Sequence, residues 1–188
     1  KKAEQELVAE GQKVEIIWKG PLKEDDRDQQ IQLVENFTTR RVDGMVLAPL
    51  DAQALVRPVE NAQDAGIPVV IIDSGLQSEK YVSFVATDNL KGGEMAGKFM
   101  AEQLGGKGKV ILLRYAVGSA STENRENGFL KALEAYPEIE LISSDQYAGP
   151  TRETAYQASQ NLLQRFGQEV DAIFCVNENS TIGMTKAL

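Results

Sequence analysis

The sequence predicts an α/β protein of two lobes, each built on a parallel sheet. Short apolar runs alternate with helix-like segments along nearly all of its 188 residues, which is the pattern of βαβ units. Each run stops abruptly at polar groups, as strands do at the rim of an open sheet. The alternation breaks once, where Ile67–Ile72 and Tyr81–Ala86 follow one another with no helix between. A chain leaving one sheet for another would show such a break. The boundary is therefore placed near Thr87, with lobes of residues 1–87 and 88–188. The first sheet is expected to lack its opening strand and the second its last strands.

In chain order, Lys1–Glu10 reads as an amphipathic helix stopped at Gly11. Val14–Trp18 reads as a strand. A helix from about Asp26 to Arg40 carries Ile31, Val34 and Phe37 at helical spacing. Strand Gly44–Ala48 precedes a helix started by Asp51 and stopped by Gly66. After the two consecutive strands, Asp88 caps a helix that runs to Gly105-Gly106. Strand Lys109–Tyr115 leads into the Ser/Thr-rich start at Ser119–Thr122 and a helix to about Ala135. Strand Glu140–Ser144, a helix from Thr151 to Phe166, strand Ala172–Val176 and a last helix complete the reading. Both chain ends fall within helices, the look of a piece of a longer protein.

Composition narrows the chemistry. The chain is 42% hydrophobic and 26% charged with a net charge of −8. That acidity argues against a general nucleic-acid binder, which needs a basic surface to neutralise phosphates. No stretch is long and apolar enough for a membrane-spanning helix. Histidine is absent, which removes imidazole bases and the commonest metal ligand. No nucleophile elbow or phosphate loop is present, because Gly105–Lys109 follows a helix and precedes a strand, the reverse of the order a phosphate loop needs. The single Cys175 sits in an apolar run and reads as a small buried hydrophobe. No catalytic residue, metal or cofactor is expected.

Ligands bind at the carboxyl ends of strands in open parallel sheets, so the groups found there are the candidates. Asp73 and Ser74 end the run Val69–Ile72; a carboxylate there accepts from neighbouring hydroxyls, or bonds its own backbone in the Asp-Ser-Gly turn. Arg125 lies one turn into its helix, where its guanidinium fork either reaches the rim or pairs with nearby glutamates. Asn177 and Glu178 end the last strand; the amide suits a hydroxyl, or caps the helix that follows. Trp18 and Tyr147 stand at strand ends, where an aromatic face stacks on a sugar or simply packs. Asp88 reads as a cap at the lobe crossing. The acidic run Glu24–Asp28 reads as a solvated helix start.

Five segments together resemble the type I periplasmic sugar-binding proteins, the ribose-binding group of ABC importers. They are Gly44–Asp51, Ala65–Ser74, Ala86–Asn89 with Gly92-Gly93, Gly118–Phe129 through Arg125, and Asn177-Glu178 to Gly183. The resemblance implies two Rossmann-like lobes of periplasmic binding protein-like type I, with a small sugar held between them. Asp73 would bind it from the first lobe, and Arg125 and Asn177 from the second. It also implies export to the periplasm and a membrane permease as partner. Two departures stand out. Ser74 takes the place where family members often carry arginine. Tyr147 lies a few residues before the expected aromatic, whose place is held by Pro150-Thr151. The ligand-sensing core of lactose-repressor-type regulators shares this fold and is the alternative.

Overall fold

The computed structural model describes residues 2–188. Its elements run α1 (Lys2–Ala9), α2 (Arg27–Thr39), β1 (Met45–Leu47), α3 (Val56–Asp64), β2 (Val69–Ile72), β3 (Ser83–Val85) and α4 (Asn89–Gln103). Then come β4 (Lys107–Leu113), α5 (Ala120–Leu133), β5 (Glu138–Ser143), α6 (Arg152–Phe166), β6 (Ala172–Cys175) and α7 (Glu178–Ala187). They form two three-stranded sheets of order β1-β2-β3 and β5-β4-β6, parallel throughout. None of these helices is long and apolar enough to cross a membrane.

Three expectations need correction. The consecutive strands do not change sheets: β3 pairs in parallel with β2, with Val70 opposite Ser83. The connection between them is an extended loop held by the Gln77 amide on the Ala52 carbonyl at 2.8 Å and the Ser78 hydroxyl on Glu60 at 2.7 Å. One backbone and one side-chain hydrogen bond thus anchor a loop where a parallel crossover ordinarily uses a helix. The change of sheet comes after β3. Val14–Trp18 forms no strand. A strand exists only by pairing its backbone with a neighbour, and this segment has none; Ile16, Ile17 and Trp18 are exposed. Asp51 also starts no helix directly. It is buried and accepts from the amides of Gln53 and Ala54, capping a turn ahead of α3.

Three other helix starts are capped: the Asp88 cap is as read, Asn177 takes the capping alternative left open in the sequence, and Thr151 caps the helix read as starting there. Asp88 accepts from the Lys91 amide at 3.0 Å. Thr151 and Asn177 each close a reciprocal capping box, with Thr154 and Ser180.

The second sheet holds the main core. Val110–Leu113 of β4 are fully buried. Ile111 and Leu113 face α6 and α7, while Val110 and Leu112 face Phe129, whose ring stacks on Phe174 at 4.3 Å. Helices α4 and α5 meet backbone to backbone: a side chain at Gly93 would strike the Arg125 carbonyl, and one at Gly128 the Leu90 carbonyl. The first sheet packs Val69 and Ile71 against Val59 and Ala62 of α3.

Candidate ligand site at the strand ends

The carboxyl end of β2 carries an unusual backbone. Asp73 has φ +64°, a left-handed conformation that costs a residue with a Cβ about 1 kcal/mol. The Ser74 amide donates to the Ile72 carbonyl at 2.7 Å, so the chain turns tightly around Asp73, while the Asp73 amide continues the ladder to Val85 at 3.0 Å. The side chain is exposed and, among the described residues, its carboxylate takes no hydrogen bond and no ion pair. It therefore does not bond its own backbone. Strain at a free carboxylate on a strand end is the kind of outlier from which function is inferred.

Ser74 is buried, and its hydroxyl oxygen accepts from the Ser121 amide at 3.1 Å, one turn ahead of Arg125 in α5. Arg125 in turn donates from Nε to Asn89 Oδ1 at 2.8 Å and from Nη1 to the Val176 carbonyl at 2.9 Å. Both partners are neutral oxygens, which leaves the guanidinium's charge uncompensated and its Nη2 edge available. Val176 is followed by Asn177. Its Oδ1 accepts from the Ser180 amide at 3.0 Å and the Ser180 hydroxyl at 2.7 Å. The amide cap thus consumes the acceptor end and leaves the Nδ2 donor end. In this way two bridging contacts, Ser74 with Ser121 and Arg125 with Val176, gather the segments that carry Asp73, Arg125 and Asn177.

The remaining candidates have other partners. Tyr147 continues the β4–β5 pairing beyond the strands, opposite Arg114, and its hydroxyl accepts from Arg114 Nη1 at 3.0 Å. Behind it Arg114 Nε stands 3.4 Å from Glu126, whose carboxyl burial pushes above its usual range. Glu178 is exposed and ion-paired with Arg152 at 2.6 Å. Trp18 is 88% exposed and joins none of these contacts. Two surface depressions lie elsewhere, one beside Phe37 and Arg40 and one between β6 and α7.

The sequence reading passed over the contacts that draw the two sheets together. Arg27 pairs with buried Asp51 at 3.1 Å and donates to the Val117 carbonyl at 2.9 Å. The Ala52 amide donates to the Gly118 carbonyl at 2.9 Å. The Tyr115 hydroxyl donates to Glu24 at 3.2 Å; burial first, then the Glu24 charge, pushes the phenol up to about 12. Glu24 is therefore not simply solvated. The one signal available was Gly118 before a Ser/Thr-rich helix start. Its φ is +88°, and a side chain there would collide with the Asp51 carboxylate.

Two parallel sheets joined by hydrogen bonds between segments at their strand ends match the type I periplasmic binding protein fold. A model of the family described as periplasmic binding protein domain matches residues 1–188, and the chain belongs to that family. It is 32% identical over 185 residues to the ribose import binding protein of Bacillus subtilis, covering 98% of this chain and 58% of that protein. It is 26% identical over 183 residues to the xylitol-binding protein of Mycolicibacterium smegmatis, covering 97% and 52%. A solved ABC transporter solute-binding protein from Agrobacterium vitis with bound D-fucose superposes with a TM-score of 0.91 at 34% identity, covering 99% of this chain and 64% of that one. The chain thus spans a little over half the length of the curated relatives.

Proposed function

We propose that this chain is the larger part of a solute-binding protein that captures a monosaccharide or similar polyhydroxylated ligand between two lobes, residues 1–87 and 88–188. The carrying observation is the division of polarity across the strand ends. Asp73 offers only acceptors, whereas Arg125 Nη2 and Asn177 Nδ2 offer only donors. A hydroxyl is both donor and acceptor, so a polyol bridges the two sides and an aliphatic ligand does not. Ser74, Tyr147, Glu178 and Trp18 complete the proposed lining.

Binding of this kind needs no bond chemistry. The ligand contacts both lobes only when they are shut, so its differential affinity favours the closed shape. A membrane permease of an ABC importer would read that shape, with the protein exported to the periplasm. The relatives named above support this reading over that of a lactose-repressor-type sensor.

Calorimetry on the full-length protein with D-ribose, D-fucose and xylitol tests it. Arg125→Ala and Asp73→Asn are each expected to weaken binding by at least about tenfold, because each removes charge-assisted hydrogen bonds. Asparagine tolerates the left-handed backbone at 73, so its effect reads out charge rather than misfolding. Unchanged affinity in both variants rejects the site.

A further inference from the structure

The structure assigns to Asn89 a role as the positioning residue of Arg125; the inference rests on the binding site proposed above. Asn89 is the first residue of α4, next to the Asp88 cap. It is 7% exposed, and its Oδ1 accepts from Arg125 Nε at 2.8 Å. Arginine only donates, so the oxygen of the amide must face it. The Val176 carbonyl holds Nη1 at 2.9 Å. Two fixed bonds on a planar five-donor fork determine its plane and direction, and the third edge is then aimed without further loss of rotamer freedom on binding.

The reach between the two residues is set by the helices. Gly93 lies against the Arg125 carbonyl and Gly128 against the Leu90 carbonyl, with no side chain between. Asn89 stands one turn before Gly93, so this close approach places it beside the α5 residue that it grips. It also follows directly on the crossing from β3 to α4. The orientation of Arg125 is thus tied to the connection between the two sheets. Asn89 itself touches no ligand in this account.

The test uses the full-length protein with three substitutions. Asn89→Leu removes the acceptor, Asn89→Asp keeps one, and Arg125→Ala removes the group being positioned. Two readouts are taken: affinity for D-ribose, D-fucose and xylitol, and exchange of the Arg125 Nε–H proton by NMR without ligand. The expected result is a slowly exchanging Nε–H in the unsubstituted protein and in Asn89→Asp, and a fast one in Asn89→Leu. Affinity is expected to fall about tenfold or more in Asn89→Leu and to be rescued in Asn89→Asp. Asn89→Ala gives the same reading if the leucine variant does not fold. Unchanged affinity in Asn89→Leu alongside loss in Arg125→Ala overturns the positioning role and leaves the site standing. Unchanged affinity in Arg125→Ala overturns the site, while the proton exchange still decides whether Asn89 holds the guanidinium.

Discussion

The two sheets carry nearly the same letters but differ in what surrounds them. Val69–Ile72 and Val110–Leu113 are each four consecutive apolar residues. In β4 all four are fully buried, because helices cover both faces. In β2 only Val69 and Ile71 are, and the flanking strands are more open still: Val46 is 69% exposed and all of β3 is exposed. An all-apolar run announces a parallel strand without saying how many of its faces are packed. Among the described residues, packing is denser around the second sheet, which carries Arg125 and Asn177, than around the first, which carries Asp73.

The sharpest way to break this contrast is to truncate one side chain in or beside each sheet. Phe129→Ala empties a fully buried stacked ring and is expected to cost about 3–5 kcal/mol in urea unfolding. Val46→Ala in the first sheet is expected to stay within about 0.5 kcal/mol. Similar losses at both positions would mean that the two sheets are equally consolidated.

The second sheet also imposes a pH limit. Burial pushes the Cys175 thiol from about 9 up to about 12, and the Tyr115 phenol rises from 10 to about 12. Both groups are neutral when protonated, and the folded state favours that form. The unfolded chain releases these protons first, so the contribution of these two groups to stability is constant below pH 9 and falls as pH rises toward 12. Cys175→Ala is expected to delay the onset to about pH 10, measured as urea midpoints across the series. An onset that does not move would place the thiol in water.

Another effect has the opposite sign. Asp73→Gly relieves the left-handed backbone and is expected to stabilise the fold by about 1 kcal/mol while sugar binding is lost. Stability gained together with function lost would identify Asp73 as strained for a purpose. Destabilisation would show that its carboxylate supports the fold.

The strand ends were legible because apolar runs stop where the sheet stops, and Asp88 was legible as a cap by side-chain chemistry alone. Asn177 shows how two readings coexist: it caps α7 and still keeps its amino group. What stayed hidden depends on partners distant in sequence. Val14–Trp18 has strand composition and no strand beside it. Asp51 has the chemistry of a helix cap but spends it on a turn and on Arg27. In Asp73-Ser74-Gly75 the expected site of left-handed backbone is the glycine, yet the strain falls on the aspartate. Asn89 looked like part of a capped helix start, and only the contact between α4 and α5 reveals its grip on Arg125.

Gly118 has a consequence for the whole molecule. The Asp51 carboxylate fills the space where a side chain at 118 would stand, so a glycine there lets the loop lie directly against Asp51. An alanine at this position would act as a wedge, prising the rims apart while both interiors kept their packing.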